Sequence, residues 1–294
     1  MAFCVWVSGD LMIALQLSNA IQNIHQITKH PDAAALEPSL HGRTVLIVGP
    51  GPSLADHRSV IGMALTSGSA TVIALSRAVP YLMEHGLTPD LAVAIDPQEI
   101  VHHDLSLLPT HVPVALGWSV HPAVWRGRER VFGFANSWPL HRWLSNELHR
   151  EGYEITQTYP GLTVGSITPC LALQLGAHRV FMIGIDLANS ADGQRYASGH
   201  APGRSGDLDI TAVELGVVAS MFAHRVDTLA TWGLTVPPGW SQATTAHVPR
   251  LWVEHSWTVE HRPREPFTGV LSDQATAELK NVATSANLTL TNNP

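Results

Sequence analysis

The feature that most constrains the fold is an alternation of short apolar runs with stretches of helical character. The runs are Thr44-Val45-Leu46-Ile47-Val48, Thr71-Val72-Ile73-Ala74-Leu75, Leu91-Ala92-Val93-Ala94-Ile95, Val112-Pro113-Val114-Ala115-Leu116, Val131-Phe132-Gly133-Phe134 and Val180-Phe181-Met182-Ile183. Helical segments lie between several of them, notably 77–86, 138–150 and 164–175. The pattern predicts an α/β chain: a Rossmann-like, doubly wound, mostly parallel sheet with helices on both faces. In such sheets ligands bind beyond the carboxyl ends of the strands. The residues there are Gly49 to Ser53, Ser76, Asp96, Gly117 to Ser119 and Gly184 to Asp186.

The first of these places is a glycine turn, Gly49-Pro50-Gly51-Pro52-Ser53-Leu54, set between a strand and the start of a helix. Glycines allow close approach of the backbone to a ligand, and the amides and dipole of a following helix favour an anion. Ser53 and Asp56, three residues apart, resemble a capping box. The turn is neither a P-loop nor a good dinucleotide fingerprint. It has no lysine, and Leu54 stands where a third glycine belongs. The next strand ends in Ser76-Arg77, where an arginine would suit NADP more than NAD.

Asp96 and Asp186 both follow apolar strands, and two strand-end carboxylates suit a ribose or a magnesium ion shared with a diphosphate. A second glycine-containing turn, Pro160-Gly161-Leu162-Thr163-Val164-Gly165-Ser166, precedes an apolar helix and offers amides and hydroxyls to a second anionic group. Tyr196 and His200 lie in the polar stretch after Asp186, a loop position that commonly carries function. His102, His103 and Asp104 look like metal ligands, but consecutive helical residues point apart, so a solvated surface is expected. Trp118, Trp125, Trp138 and Trp143 are candidates to stack a base, with core packing as the competing role.

The formal charge of −7 excludes a broad nucleic-acid-binding surface. The only lysines are Lys29 and Lys280, so arginine supplies almost all of the 17 basic residues, which suits planar phosphate or carboxylate recognition. Cys4 and Cys170 are too few for a disulfide framework, which points to a reducing cytoplasm. No stretch reaches the roughly 20 apolar residues that span a bilayer. The organisation expected is an N-terminal helix and polar linker over 1–40, a nucleotide-binding catalytic domain over 41–235, and a C-terminal extension over 236–294 packing on the same domain. The amphipathic segment 11–27 is expected to pack on the core or on a second subunit, as a homo-oligomer contact. Residues 207–229 read as helical.

Together, Gly49 to Leu54, Thr88-Pro89-Asp90 before the strand ending in Asp96, Gly161 to Ser166 and Gly184-Ile185-Asp186-Leu187-Ala188 make the chain resemble the MptE-like family over roughly 42–229. That family includes 6-hydroxymethylpterin diphosphokinases and the motility accessory factor glycosyltransferases, and is similar to small bacterial sialyltransferases that use CMP-sialic acid. The resemblance implies nucleotide or phosphate contacts at Gly49, Gly51, Pro52, Ser53, Ser76, Thr163, Gly165, Ser166, Asn189 and Tyr196, with Asp96 and Asp186 beside them. It implies a catalytic histidine at His200, with Asp209 and Glu214 beyond it. The sequence departs at Pro50 and Ser76, where the sialyltransferase pattern carries asparagine. The expected activity is glycosyl transfer from a nucleotide-activated sugar, such as a CMP-nonulosonate, with His200 as general base. That chemistry requires no cofactor. The alternatives are ATP-dependent diphosphate transfer to a pterin-like alcohol, with Mg2+ at Asp96 and Asp186, and a non-catalytic nucleotide-binding module. The acceptor stays open among a glycan, a protein, a modified nucleic-acid base and a small metabolite.

Overall fold

The computed structural model of the chain describes residues 9–159, 163–191, 193, 195–197, 205–222 and 229–243. Its strands are β1 (Thr44–Val48), β2 (Thr71–Leu75), β3 (Leu91–Ala94), β4 (Val114–Gly117), β5 (Val131–Asn136), β6 (Gln157–Thr158), β7 (Arg179–Ile183), β8 (Leu229–Thr231) and β9 (Ser241–Gln242). The helices are α1 (Gly9–Lys29), α2 (Glu37–Leu40), α3 (Arg58–Ser67), α4 (Val79–Glu84), α5 (Ile100–Ser106), α6 (Pro139–Arg150), α7 (Val164–Gln174) and α8 (Ser205–Met221).

The described strands form one sheet in the order β6-β5-β4-β3-β2-β1-β7-β8-β9. Every pairing is parallel, which sharpens the mostly parallel sheet expected. The chain runs outward from β1 to β6 and then returns to β7 on the other side of β1. The two halves therefore wind in opposite senses from β1, and a crevice opens between β1 and β7 at the carboxyl end.

Alternate side chains of the strands feed two apolar layers. From β1, Leu46 and Val48 join Ile61 of α3, Leu82 of α4, Leu105 of α5 and Leu144 of α6. Val45 and Ile47 join Leu36, Leu40 of α2, Leu171 of α7 and Val218 of α8 on the other face. Each such side chain removed from water contributes about 1.5–3 kcal/mol before chain entropy is counted. Both faces of the sheet are thus covered, which is why its strands read as unbroken apolar runs rather than alternating ones.

Three local expectations change. The segment expected as a polar linker near 31–38 is a short 3-10 helix running into α2, with Ala33, Leu36 and Leu40 buried. Asp32 caps that turn through Ala34 N–H at 2.8 Å and also accepts from Thr156 N–H at 2.9 Å. The helix expected over 207–229 ends at Met221, and Leu229 opens β8 instead. Trp118 and Trp125 are fully buried core residues rather than platforms for a base, and Trp143 packs against the same layer.

Helix α1 packs within its own chain. Asn19 and Asn23 lie one turn apart on its inner face and are both buried. Asn19 Nδ2 donates to Pro97 O at 2.8 Å and Ser119 O at 3.2 Å, and Asn23 Nδ2 to Trp118 O at 2.9 Å and Val120 O at 2.8 Å. These carbonyls lie just past β3 and β4, where no neighbouring strand serves them. The two amides supply the donors that buried carbonyls need.

A buried histidine sits at the same end of the sheet. His141 Nδ1 accepts from Asn136 N–H at 3.2 Å, so the neutral ring carries its proton on Nε2 and donates to Ser119 Oγ at 2.9 Å. Burial pushes the His141 pKa down to about 3 from an ordinary 6.5. Between those two values the unfolded chain binds a proton that the folded one refuses. Stability therefore falls as pH drops through this window, by up to about 1.4 kcal/mol per pH unit. Denaturant midpoints of the wild type should fall steeply between pH 6 and 4, and His141→Gln should flatten that slope. An unchanged slope in the variant would assign the acid sensitivity to other groups.

Candidate functional site

A crevice of about 570 Å³ opens at the carboxyl ends of β3, β2, β1 and β7. Met12 and Gln16 of α1, Pro50 and Gly51, Arg77, Asp96 to Gln98, the start of α7, Gly184 to Ala188, Arg195, Tyr196 and Thr211 of α8 line it. This is the position expected from the strand ends, with α1 and α8 added as walls.

The first glycine turn serves a different purpose from the anion loop expected. Gly49 N–H donates to Ile183 O and Gly51 N–H to Gly184 O, both at 2.7 Å. Ser53 N–H donates to Asp186 Oδ2 at 2.9 Å, and Ser53 Oγ accepts from Gly184 N–H at 3.2 Å. The expected capping box is absent, since Asp56 is exposed and the true partner of Ser53 lies across the sheet. Pro52 opens a 3-10 turn that leads into α3. A Cβ on Gly49 would stand 2.5 Å from Gly184 O, and one on Gly51 would stand 2.3 Å from Asp186 Oδ2. The glycines are needed so that two strand-end turns can touch, and the amides are spent on that contact.

Asp186 is the buried centre of this joint. Its Oδ1 accepts from Leu234 N–H at 2.8 Å while Oδ2 holds Ser53, and its own carbonyl accepts from Thr235 Oγ1 at 2.6 Å. The second turn repeats the arrangement with Glu214 of α8. Glu214 Oε2 accepts from Thr163 N–H at 3.2 Å, from the Thr163 hydroxyl at 3.1 Å and from the Ser166 hydroxyl. A protein carboxylate thus sits on the amino end of α7, where the dipole favours negative charge. Thr163, Val164 and Gly165 still border the crevice, while Ser166 is buried beneath it. Residues 160–162 of that turn lie outside the described residues.

The cations stand at two places. Arg77, immediately after β2, pairs with the buried Asp104 of α5 at 3.2 Å, which holds its guanidinium at the crevice. That pairing also settles Asp104 as an arginine partner rather than a metal ligand, beside a partly buried His102 and an exposed His103. Arg195 lies with its guanidinium 5.4 Å from the centre of the Tyr196 ring. The loop carrying both is tied to the first turn by Ala197 N–H donating to Pro50 O at 2.8 Å. Asp96 caps its own turn through Gln98 N–H at 2.9 Å. Burial pushes its carboxyl above the ordinary range, opposed by the Gln98 amide and by Arg77.

Of the residues expected at the site, Gly51, Asp96, Thr163, Gly165, Asp186 and Tyr196 line the crevice. Ser53 and Ser76 are buried behind it, and Asn189 is exposed and apart from its lining. His200 lies outside the described residues, as does the Asp209 side chain. Arg195, Gln16, Gln98 and Thr211 join the site without having been singled out. A sequence signal for the α1 wall did exist, in two asparagines four residues apart on an otherwise apolar helix face.

A magnesium ion held between Asp96 and Asp186 fits this geometry poorly, because both oxygens of Asp186 already accept backbone hydrogen bonds. Among the described residues no three His, Cys, Asp or Glu side chains gather at one point. Nor is any described helix long and apolar enough to cross a membrane.

The family model described as 6-hydroxymethylpterin diphosphokinase MptE-like matches residues 18–192. The chain belongs to the MptE-like family. The matched region begins on α1 just before Asn19, includes β1 to β7 and Asp186, and stops short of Arg195, Tyr196 and Glu214. Among solved structures, the MAf glycosyltransferase from Magnetospirillum magneticum AMB-1 is similar over 94% of this chain, with a TM-score of 0.59 and 17% sequence identity. The match covers 42% of that protein, so the chain spans less than half of its length. At this identity the likeness is one of fold, and it agrees with the α/β architecture seen here. No curated protein matches the chain significantly.

Proposed function

We propose that the crevice binds a nucleotide-activated sugar and that the protein transfers the glycosyl group to an acceptor hydroxyl. The observation that carries this is the distribution of charge at the switch point. Arg77, Arg195 and Tyr196 face the crevice with Asp96 and Asp186, while both Asp186 oxygens accept backbone amides and Glu214 is held by the Thr163 amide and the Thr163 and Ser166 hydroxyls. A phosphate-bearing leaving group therefore meets two arginines and a phenol. The name of the structural neighbour supports the same class of activity.

In this mechanism His200 takes the proton of the acceptor hydroxyl as the acceptor oxygen attacks the anomeric carbon. The bond from that carbon to the phosphate oxygen breaks, and its electron pair leaves with the nucleotide. Arg195 and Tyr196 stabilise the charge that develops there. His200 follows Ala197 by three residues in the sequence, and Ala197 N–H donates to Pro50 O of the first turn at 2.8 Å. An imidazole suits the role because its ordinary pKa lies near neutral pH. Asp96, Thr163 and Gly165 contact the donor, and no metal is required.

The family description favours a second reading, diphosphate transfer from ATP to a pterin-like alcohol. Magnesium would then be held by Asp96 and the triphosphate, since one or two carboxylates with phosphates and water suffice. Calorimetric titration with CMP, CDP, UDP, GDP and ATP, each with and without magnesium, separates the two. Metal-independent binding of a sugar-carrier nucleotide is the expected result. Binding of ATP that depends on magnesium would replace glycosyl transfer with diphosphate transfer.

A further inference from the structure

A second, smaller pocket of about 200 Å³ lies between α5 and the loop that leads into β5. It shares no lining residue with the crevice. Leu105, Leu108 and Val124 give it an apolar floor, and His102, Arg126 and Arg128 give it three basic side chains. No carboxylate lines it. His102 and Leu105 stand three residues apart on one face of α5, and the Asp104 that holds Arg77 is not part of that face.

The local chain brings the two arginines together. The 3-10 turn Pro122–Trp125 ends at an extended Arg126, and Gly127 then turns the backbone at a φ of 72°, which a residue with a side chain resists. Arg128 donates through one terminal nitrogen to Leu105 O, at the carbonyl end of α5, and through the other to Pro109 O at 3.4 Å. A cation suits that helix end, and the two contacts hold the guanidinium in place. They use two of its five N–H groups. The other three have no acceptor among the described residues, and neither arginine forms an ion pair there. Burial pulls the Arg128 pKa below its ordinary value, with no carboxylate opposing it. Glu129, next in sequence, accepts instead from the Thr110 hydroxyl at 2.6 Å. The side chain of Arg126 is exposed and extends over the same pocket.

We propose that this pocket binds a small phosphate dianion, either inorganic phosphate or the phosphoryl group of a short phosphomonoester. Two guanidinium charges without a carboxylate between them match a dianion, and each planar fork can meet two phosphate oxygens. One fork is fixed in advance on α5, so less freedom is lost when the anion arrives. The volume lies below the roughly 300 Å³ at which pockets begin to enclose larger organic ligands, so a whole nucleotide is too big for it. The apolar floor has room for a short carbon chain. The site is independent of the function proposed for the crevice.

The test is a titration of the isotope-labelled full chain with inorganic phosphate, glycerol phosphate and acetate, at ionic strength held constant with chloride and followed by amide NMR. The Gly127 amide reports this pocket and the Gly165 amide reports the crevice, so anions bound at the two places are told apart. The Gly127 resonance should shift and saturate with a Kd of about 1 mM for at least one of the two phosphates. Tighter binding of glycerol phosphate would identify a monoester seated on the apolar floor, and equal or tighter binding of inorganic phosphate would identify the phosphoryl group alone. Acetate should bind at least about fivefold more weakly. Arg126→Gln removes an exposed side chain and should leave thermal unfolding unchanged, yet it should weaken the phosphate response at Gly127 about tenfold and leave that at Gly165 as it was. A Gly127 resonance that does not saturate with either phosphate, acetate binding as tightly as phosphate, or an affinity untouched by Arg126→Gln would each overturn the proposal.

Discussion

Gly51→Ala should lower the melting temperature by on the order of 10 °C. The added Cβ would lie 2.3 Å from Asp186 Oδ2 and 2.7 Å from Gly184 O. Neither atom is the free end of a flexible chain. Gly184 O receives the Gly51 amide, and the Asp186 carboxylate is held by Ser53 and Leu234. Relief of the clash must part the β1 and β7 turns and leave buried donors without acceptors, at a cost of about 3–5 kcal/mol. Gly62→Ala is the control, because its Cβ would meet only Leu87 Cδ2 at an ordinary 3.5 Å within α3. That change should be neutral or stabilise by up to about 1 kcal/mol. Thermal unfolding of both variants tests the joint, and equal melting temperatures would show that the two turns yield easily.

His200→Ala should cut turnover by roughly a hundredfold or more while leaving donor affinity within about twofold. A general base acts on the acceptor proton, so its loss is felt in the transition state and not in the ground-state complex. In the proposed mechanism the donor phosphate is held instead by the arginines and Tyr196. The measurement pairs single-turnover kinetics, once a donor and acceptor are in hand, with nucleotide titration of the same variant. Unchanged turnover would remove His200 from the chemistry. A parallel loss of donor affinity would make it a binding residue.

The sheet was legible where burial leaves a strong local mark. Its central strands are apolar at nearly every position, and β1, β2 and β7 begin and end within a residue of their sequence runs. The strands β6, β8 and β9 escaped because they are two or three residues long and sit toward the sheet edges. A pair such as Gln157-Thr158 carries no periodicity to read. The crevice was legible as a set of strand ends, but its internal wiring was not. Ser53 finds Asp186 across 133 residues and Ser166 finds Glu214 across 48. Such long-range pairs override local signals of the kind that made Ser53 and Asp56 resemble a capping box. Arg77 was visible, yet only Asp104 on a separate helix explains why its guanidinium is held at the crevice.

The place of β1 also dictates when the sheet can close during synthesis. Thr44 pairs with Arg179, so one edge of the central strand waits for 135 further residues to be made. At ordinary translation rates that delay is on the order of ten seconds. Throughout it, Val45 to Val48 present an unpaired apolar edge, the kind of surface that invites pairing with another chain. The half of the sheet from β1 to β6 can assemble early on the other edge. Only the arrival of β7 covers the exposed side, and it brings Asp186 to the glycine turn at the same moment. The step that ends the aggregation hazard is thus also the one that builds the crevice, and a nascent chain stalled before residue 179 has neither.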